Sequence, residues 1–140
     1  YEPALVQELM GLATLLKLNE EEARLTEQMF GRSPGSLEQF CRSFAGEFGW
    51  EGVCVTRGAQ GCALLLNGEY LEAPGYRVRV ADAVGAGDAF AAAFIHGLGA
   101  GWGAPEIADF ANRVGALVAS RSGAIPAWTI EEVSALSREA

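Results

Sequence analysis

The spacing of apolar residues changes period twice along this chain, and those changes limit its fold more than any single motif does. Leu5, Leu9, Leu12 and Leu16 recur at helical spacing, with Val6 and Met10 widening the stripe, so residues 3–16 read as an amphipathic helix. Leu16 to Leu18 are expected to form a short strand, after which Asn19 caps a helix that Gly31 stops. Ser36 begins another capped helix, ending at Gly49. The period then falls to two. "VCVTR" and "CALLL" are strand-like, separated by Gly58 and Gly61, and "NGEYLEAP" continues with an Asn-Gly turn signal. "YRVRV" reads as a further strand, with Val78 and Val80 facing one way and Arg77 and Arg79 the other. From Asp88 to about Leu98 the chain turns helical again, with Ala and Phe all round, the pattern of a central helix. Pro105 opens the next helix, whose face is marked by Ile107, Phe110, Ala111, Val114 and Val118. Thr129 with Glu132 forms a capping-box pattern for the last one. Helices alternating with strands predict an α/β layered domain.

The length, 140 residues, suits one compact domain, and a hydrophobic share of 50% excludes a disordered chain. A net charge of −8 without a basic patch argues against a nucleic-acid surface. No stretch reaches the roughly 18 apolar residues of a membrane span, and "YEPALVQELMG" lacks the basic-then-apolar pattern of a secretory signal. Cys41, Cys54 and Cys62 are odd in number and lack zinc-type spacing, so they read as reduced, buried thiols of a cytoplasmic protein. Cys54 and Cys62 are placed to face each other across a hairpin, though nothing requires a bond. His96, the single histidine, reads as a packing residue, and Trp50, Trp102 and Trp128 are too dispersed for a binding platform.

Within "VADAVGAGDAFAAAFIHGL", an acid stands at the mouth of an apolar run. Gly85, Ala86 and Gly87 leave backbone N–H groups uncovered by side chains, and a helix starting there favours an anion. Asp88 is itself an anion. Either it caps its own helix, or it works on something brought beside the anion site. Dinucleotide binding fails as a reading, because the third glycine of G-x-G-x-x-G would fall at Phe90 and Asp88 would crowd a pyrophosphate.

"DAVGAGDAFAAAFI", Asp82 to Ile95, resembles the C-terminal signature D-T-x-G-A-G-D of the ribokinase-like (PfkB-type) sugar kinases. Further elements follow that family's order: "KLNEEE" resembles its N-x-x-E motif, and "TRGAQG" its T-x-G-x-x-G nucleotide loop. "FANRVGALVASRSGAIP" is similar to the segment closing over the adenine. The resemblance implies a ribokinase-like three-layer α/β/α sandwich, with residues 1–140 as its C-terminal nucleotide-binding and catalytic portion and the N-terminal sugar-binding half absent. It implies transfer of the γ-phosphoryl of ATP to a sugar hydroxyl, with Asp88 as general base and the N–H groups of Gly85, Ala86 and Gly87 stabilising the transferred group. Thr56 and Gly58 would contact the ATP phosphates, Gly61 would keep the turn tight, and Asn112 would lie beside the adenine. Asn19 and Glu22 would order Mg²⁺ and its waters. Asp82, with carbonyls of Val84, Val118, Arg121 and Gly123, would hold a monovalent cation such as K⁺.

Plainer readings accompany these. The 58–61 stretch also suits an ordinary hairpin turn, Asn112 the exposed face of a helix, and Asn19 and Glu22 the Ncap and N3 positions of a capping box. Ala83 stands where the signature has Thr, a departure that bears on loop geometry more than on the base. "GAIPA" resembles fructokinase-like members, which favours a ketohexose as substrate; nucleosides are the runner-up. A truncated module that binds nucleotide without turnover is the rival from outside enzymology. The isolated chain is expected to be inactive, and to self-associate or require the missing half.

Overall fold

Two helix caps legible in the sequence organise the first part of the chain. Asn19 Oδ1 accepts the N–H of Glu22 at 2.7 Å, and Glu22 Oε1 accepts that of Asn19 at 3.2 Å. Ser36 and Gln39 repeat the exchange at 3.1 and 2.9 Å. Each box satisfies two N–H groups that a helix start leaves open. They begin α2 (Glu20–Met29) and α3 (Leu37–Phe48), and Gly49, at φ 72°, closes α3 in the left-handed conformation. The computed structural model describes residues 2–81, 84–121 and 130–136. They divide into two units: Tyr1–Arg57 with Ala63–Glu72, and Gly58–Cys62 with Ala73–Ala140.

In the first unit, α1 (Pro3–Leu12) stops short of the expected residue 16. The carbonyl of Thr14 accepts the N–H groups of Glu51 and Gly52 at 2.8 and 3.3 Å. From there β1 (Leu15–Asn19) pairs in parallel with β2 (Gly52–Thr56), Leu15 opposite Gly52 and Asn19 opposite Thr56. Leu16 is drawn out of the helical stripe because the ladder offers its backbone partners. The sheet continues with β3 (Cys62–Leu66) and β4 (Glu69–Ala73), in the order β1-β2-β3-β4. Asn67 and Gly68 join β3 to β4 at φ 49° and 85°, the pair of positive angles that a two-residue hairpin turn requires.

The core of this unit gathers Phe40, Cys41 and Phe44 of α3 with Val53 and Val55 of β2 and Ala63 and Leu65 of β3. Trp50 stacks on Phe48 at 5.5 Å, and its indole N–H donates to the carbonyl of Met10 at 2.8 Å. That bond fixes which side of α1 turns inward. Met10 is buried and Val6 packs on the core, while Leu5, Leu9 and Leu12 are exposed, Leu12 by 76%. Helical spacing identified the stripe but not whether it was covered.

In the second unit, α4 (Ala86–Gly99) packs along α5 (Ala104–Ala119), and α6 (Ile130–Ala135) against α5 in turn. Phe90, Ala93, Phe94 and Gly97 form the buried face of α4. A β-carbon at Gly97 would lie 2.9 Å from Ile107 Cγ1, so a glycine sets the helix separation there. The opposite face of α4 is open, with Ile95 exposed by 66%, so this helix is not enclosed as its composition suggested. His96 is a packing residue on the surface, its ring 5.4 Å from Trp102 and 6.1 Å from Phe110.

"YRVRV" is not a strand. Its alternation survives at Tyr76, which is buried, but Val80 is 59% exposed and residues 76–80 join no ladder. An alternating pattern supplies a face, whereas a strand also needs a neighbour's backbone. The segment is held by side chains instead: the Tyr76 hydroxyl donates to Asp109, and the Arg113 guanidinium lies over the Tyr76 ring at 4.4 Å. The capping pattern read at Thr129 lies outside the described residues.

Cys41, Cys54 and Cys62 are all buried. Burial pushes the Cys41 thiol up from its ordinary 9.0 to about 12. A thiol that stays protonated when folded but ionises when unfolded contributes stability that is full below pH 9 and lost as pH rises toward 12. The urea midpoint should therefore fall with pH over that window more steeply in the wild type than in Cys41→Ala. Parallel pH profiles for the two proteins would remove this account.

Candidate functional site

Glycine at the start of α4 decides the geometry of the anion turn. Gly85 is the N-cap, left-handed at φ 85° and ψ −9°, and its carbonyl accepts the first helical bond, from Ala89 N–H at 2.9 Å. A glycine N-cap brings no side-chain oxygen to the N–H groups that follow, in contrast to the boxes on α2 and α3. Asp88 occupies the first turn, three residues beyond the cap, and its side chain is exposed. It is therefore not the N-cap. The helix dipole favours its carboxylate there, as it favours any anion brought to the same end.

The 58–61 turn is a single turn of 3₁₀ helix, Gly58–Gln60, with Gly61 N–H donating to the Gly58 carbonyl at 3.2 Å. Gly58 and Gly61 are both left-handed, at φ 57° and 103°. A β-carbon at Gly61 would lie 1.9 Å from the Ala73 carbonyl oxygen, and one at Gly75 would lie 2.1 Å from that of Ala59. Backbone thus rests on backbone, which an ordinary hairpin turn does not require. Asn112 is only 7% exposed, which corrects its reading as an exposed helix residue. Its amide nitrogen lies 3.4 Å from the carbonyl oxygens of both Ala73 and Pro74.

Thr56 ends β2 in the first unit, where its hydroxyl donates to the Leu18 carbonyl at 3.4 Å. Asn19 and Glu22 belong to the same unit, exposed and joined in their capping box. Capping engages one Glu22 oxygen, so the carboxylate retains acceptor capacity of the hard kind that Mg²⁺ and its waters take.

Of the expected monovalent-cation set, Asp82 and Gly123 lie outside the described residues, as does Ala83. Val84 is exposed, and the Val118 carbonyl accepts the Arg121 N–H at 3.1 Å. The Arg121 side chain pairs with Glu132. Ala81 N–H donates to the Ala119 carbonyl at 2.9 Å, which brings the chain leading into the anion turn to the C-terminal end of α5. Carbonyls at that end carry the negative pole of the helix, an environment suited to a cation.

One unit therefore carries the 58–61 turn, Asn112, the 85–88 turn, Val84, Val118 and Arg121, and the other carries Asn19, Glu22 and Thr56. Sequence reading overlooked Gly75 and Tyr76. Their one signal, the Pro74-Gly75 pair, is equally that of any turn. Among the described residues, no group of three or more His, Cys, Asp or Glu gathers as a metal site, and no helix is long and apolar enough to cross a membrane.

The fold class is α/β of the ribokinase type. A ribokinase from Thermotoga maritima matches with a TM-score of 0.77 and 32% identity, over 95% of this chain and 46% of that one. An Escherichia coli chain attributed to ribokinase II, solved with ATP and Mg²⁺, matches with a TM-score of 0.74 and 30% identity, over 86% of this chain and 37% of that one. The chain belongs to the pfkB family of carbohydrate kinases, whose model matches residues 2–131. A fructokinase from Escherichia coli is 34% identical over 128 residues, 87% of this chain and 40% of the relative. The chain thus spans 40% or less of the length of the first two curated relatives it matches.

Gly85 tests the turn directly. Gly85→Ala puts a β-carbon into a left-handed conformation and is expected to destabilise the chain by about 1–2 kcal/mol, read from denaturant unfolding. An unchanged midpoint would show that the helix start tolerates another geometry.

Proposed function

We propose that this chain forms the nucleotide-binding and catalytic portion of an ATP-dependent sugar kinase, with Asp88 as general base. The observation that carries the reading is the helix start with a glycine N-cap, which leaves Asp88 exposed in the first turn rather than spent on capping. In this reaction Asp88 accepts the proton of a sugar hydroxyl as that oxygen attacks the γ-phosphorus. The bond from the γ-phosphorus to its bridging oxygen breaks, and ADP leaves with the bonding pair. N–H groups of Gly85, Ala86 and Gly87 stabilise charge on the transferred group, so fixed donors supply most of what phosphoryl transfer needs.

Thr56 and Gly58 would contact the ATP phosphates, Gly61 would hold the turn tight, and Asn112 would stand at the adenine edge. Mg²⁺, when bound, neutralises phosphate charge, and Asn19 and Glu22 are the residues that would order it and its waters. Family membership and the neighbour solved with ATP and Mg²⁺ support this assignment. A ketohexose such as fructose is the substrate we favour, on the "GAIPA" segment and the fructokinase relative. Sugar contacts would come from outside these 140 residues, from a further segment or a second copy. The reading places the enzyme in the cytoplasm.

In the intact enzyme, with the sugar contacts supplied, Asp88→Asn is expected to lower turnover by about 10² or more, the scale of general-base loss, while ATP affinity changes only a few-fold. Coupled ADP release with fructose, ribose and nucleosides as acceptors measures the first, and analogue titration the second. Near wild-type turnover would exclude Asp88 as the base.

We further propose that K⁺ binds through Asp82 and the carbonyls of Val84, Val118, Arg121 and Gly123. A carbonyl oxygen has two lone pairs, so the bond from Arg121 to Val118 leaves one for a cation. Activity of the intact enzyme should rise when Na⁺ is replaced by K⁺ at constant ionic strength. Equal rates in the two salts would dismiss the site.

A further inference from the structure

The turn between β2 and β3 does not belong to the sheet it connects. Residues Gly58–Cys62, the last of them opening β3, group with Ala73–Ala140, while β2 and the rest of β3 group with the first unit. The cause lies in two glycines. At Gly61 and Gly75 a β-carbon would come within 1.9 and 2.1 Å of the Ala73 and Ala59 carbonyl oxygens, far inside any contact that real β-carbons make. Gly61 also needs its left-handed φ of 103°. Gly75 has no such need, so the close approach alone accounts for a glycine there.

Behind this contact stands α5. Asn112 reaches the carbonyls of Ala73 and Pro74, and one residue on, Arg113 lies over the Tyr76 ring while pairing with Asp109 at 2.9 Å. Asp109 accepts the Tyr76 hydroxyl. The 73–76 segment is thus gripped at both ends by consecutive turns of one helix, and its middle supports the 58–61 turn.

We infer that residues 73–76 are a buttress that sets the position of the 58–61 turn from α5, with Gly75 and Asn112 as positioning residues. The consequence for nucleotide affinity rests on the kinase reading above; the mechanical claim does not. If the 58–61 turn holds phosphates, its placement is governed by α5, the same helix that packs on α4 and its anion turn. Asn112 would then act on the nucleotide through the turn, and not only through contact with a base.

Amide exchange separates these roles. In the nucleotide-free intact protein, Asn112→Ala and Gly75→Ala should each speed exchange of the Gly61 amide about tenfold, the scale of one lost hydrogen bond. Amides of α2 and α3 should keep their wild-type rates. Affinity for a non-hydrolysable ATP analogue with Mg²⁺ should fall by a similar factor. Should Gly75→Ala fail to fold, Asn112→Ala decides alone. Weakened analogue binding with Gly61 exchange unchanged would make Asn112 a direct nucleotide contact and overturn the buttress. Faster Gly61 exchange in a chain whose wild type binds no analogue would support the buttress and defeat the kinase reading instead.

Discussion

Burial of α5 is the constraint on which the second unit depends. Ile107, Ala111, Val114 and Val118 are enclosed, and each neighbouring element reaches the helix through a particular residue. Gly97 lets α4 approach Ile107, and a β-carbon at Gly115 would stand 3.5 Å from the Ala86 carbonyl oxygen and from Phe90 Cβ. Arg113 donates to carbonyls of Val133, Ser134 and Leu136, at and just past the C-terminal end of α6, at 2.9–3.2 Å. Carbonyls at a helix C-terminus carry its negative pole, and the guanidinium cation suits them. Asn112, Asp109 and Ala119 hold the chain from residue 73 to 81. A substitution that shifted α5 would move all of these together.

The candidate site is built largely of backbone, and that suits the phosphoryl transfer proposed for it. Charge that develops on a transferred phosphoryl is best met by donors already fixed in place, since donors that must reorganise give back part of their benefit. Glycine at 58, 61, 75 and 85 allows the chain to turn left-handed or to approach other backbone without side chains intervening. The exposed carboxylate of Asp88 then stands apart from the capping role that acids near a helix start often fill. Its companions Asn19 and Glu22 do fill that role, and their capping box accounts for their spacing without reference to a metal.

Legibility in the sequence followed the range of the interaction. Both capping boxes, the Asn67-Gly68 turn and the helix stop at Gly49 depend on residues within four positions of each other, and all were readable. So were the strands β2 and β3, whose apolar runs are buried at almost every position. Expectations failed where a distant partner decides. The Leu5, Leu9 and Leu12 stripe faces outward because Trp50 anchors α1 through Met10. Residues 76–80 have strand alternation without a neighbouring strand, and α4 is apolar all round but enclosed on one side.

Sequence alone determined the order of the helices and of the four strands that form, the motif that opens at Gly85, and the family kinship that three companion motifs made specific. Those features depend on local hydrogen bonding, side-chain period and residue identity, all of which are written along the chain. Tertiary structure alone decided that Asn112 is buried, that Asp88 lies inside the first turn rather than at its cap, and that the 58–61 turn rests on Gly75. The reason is physical: burial and backbone-to-backbone contact depend on which segments meet in space. Asn112 and Pro74 lie 38 residues apart, and no local pattern records that separation.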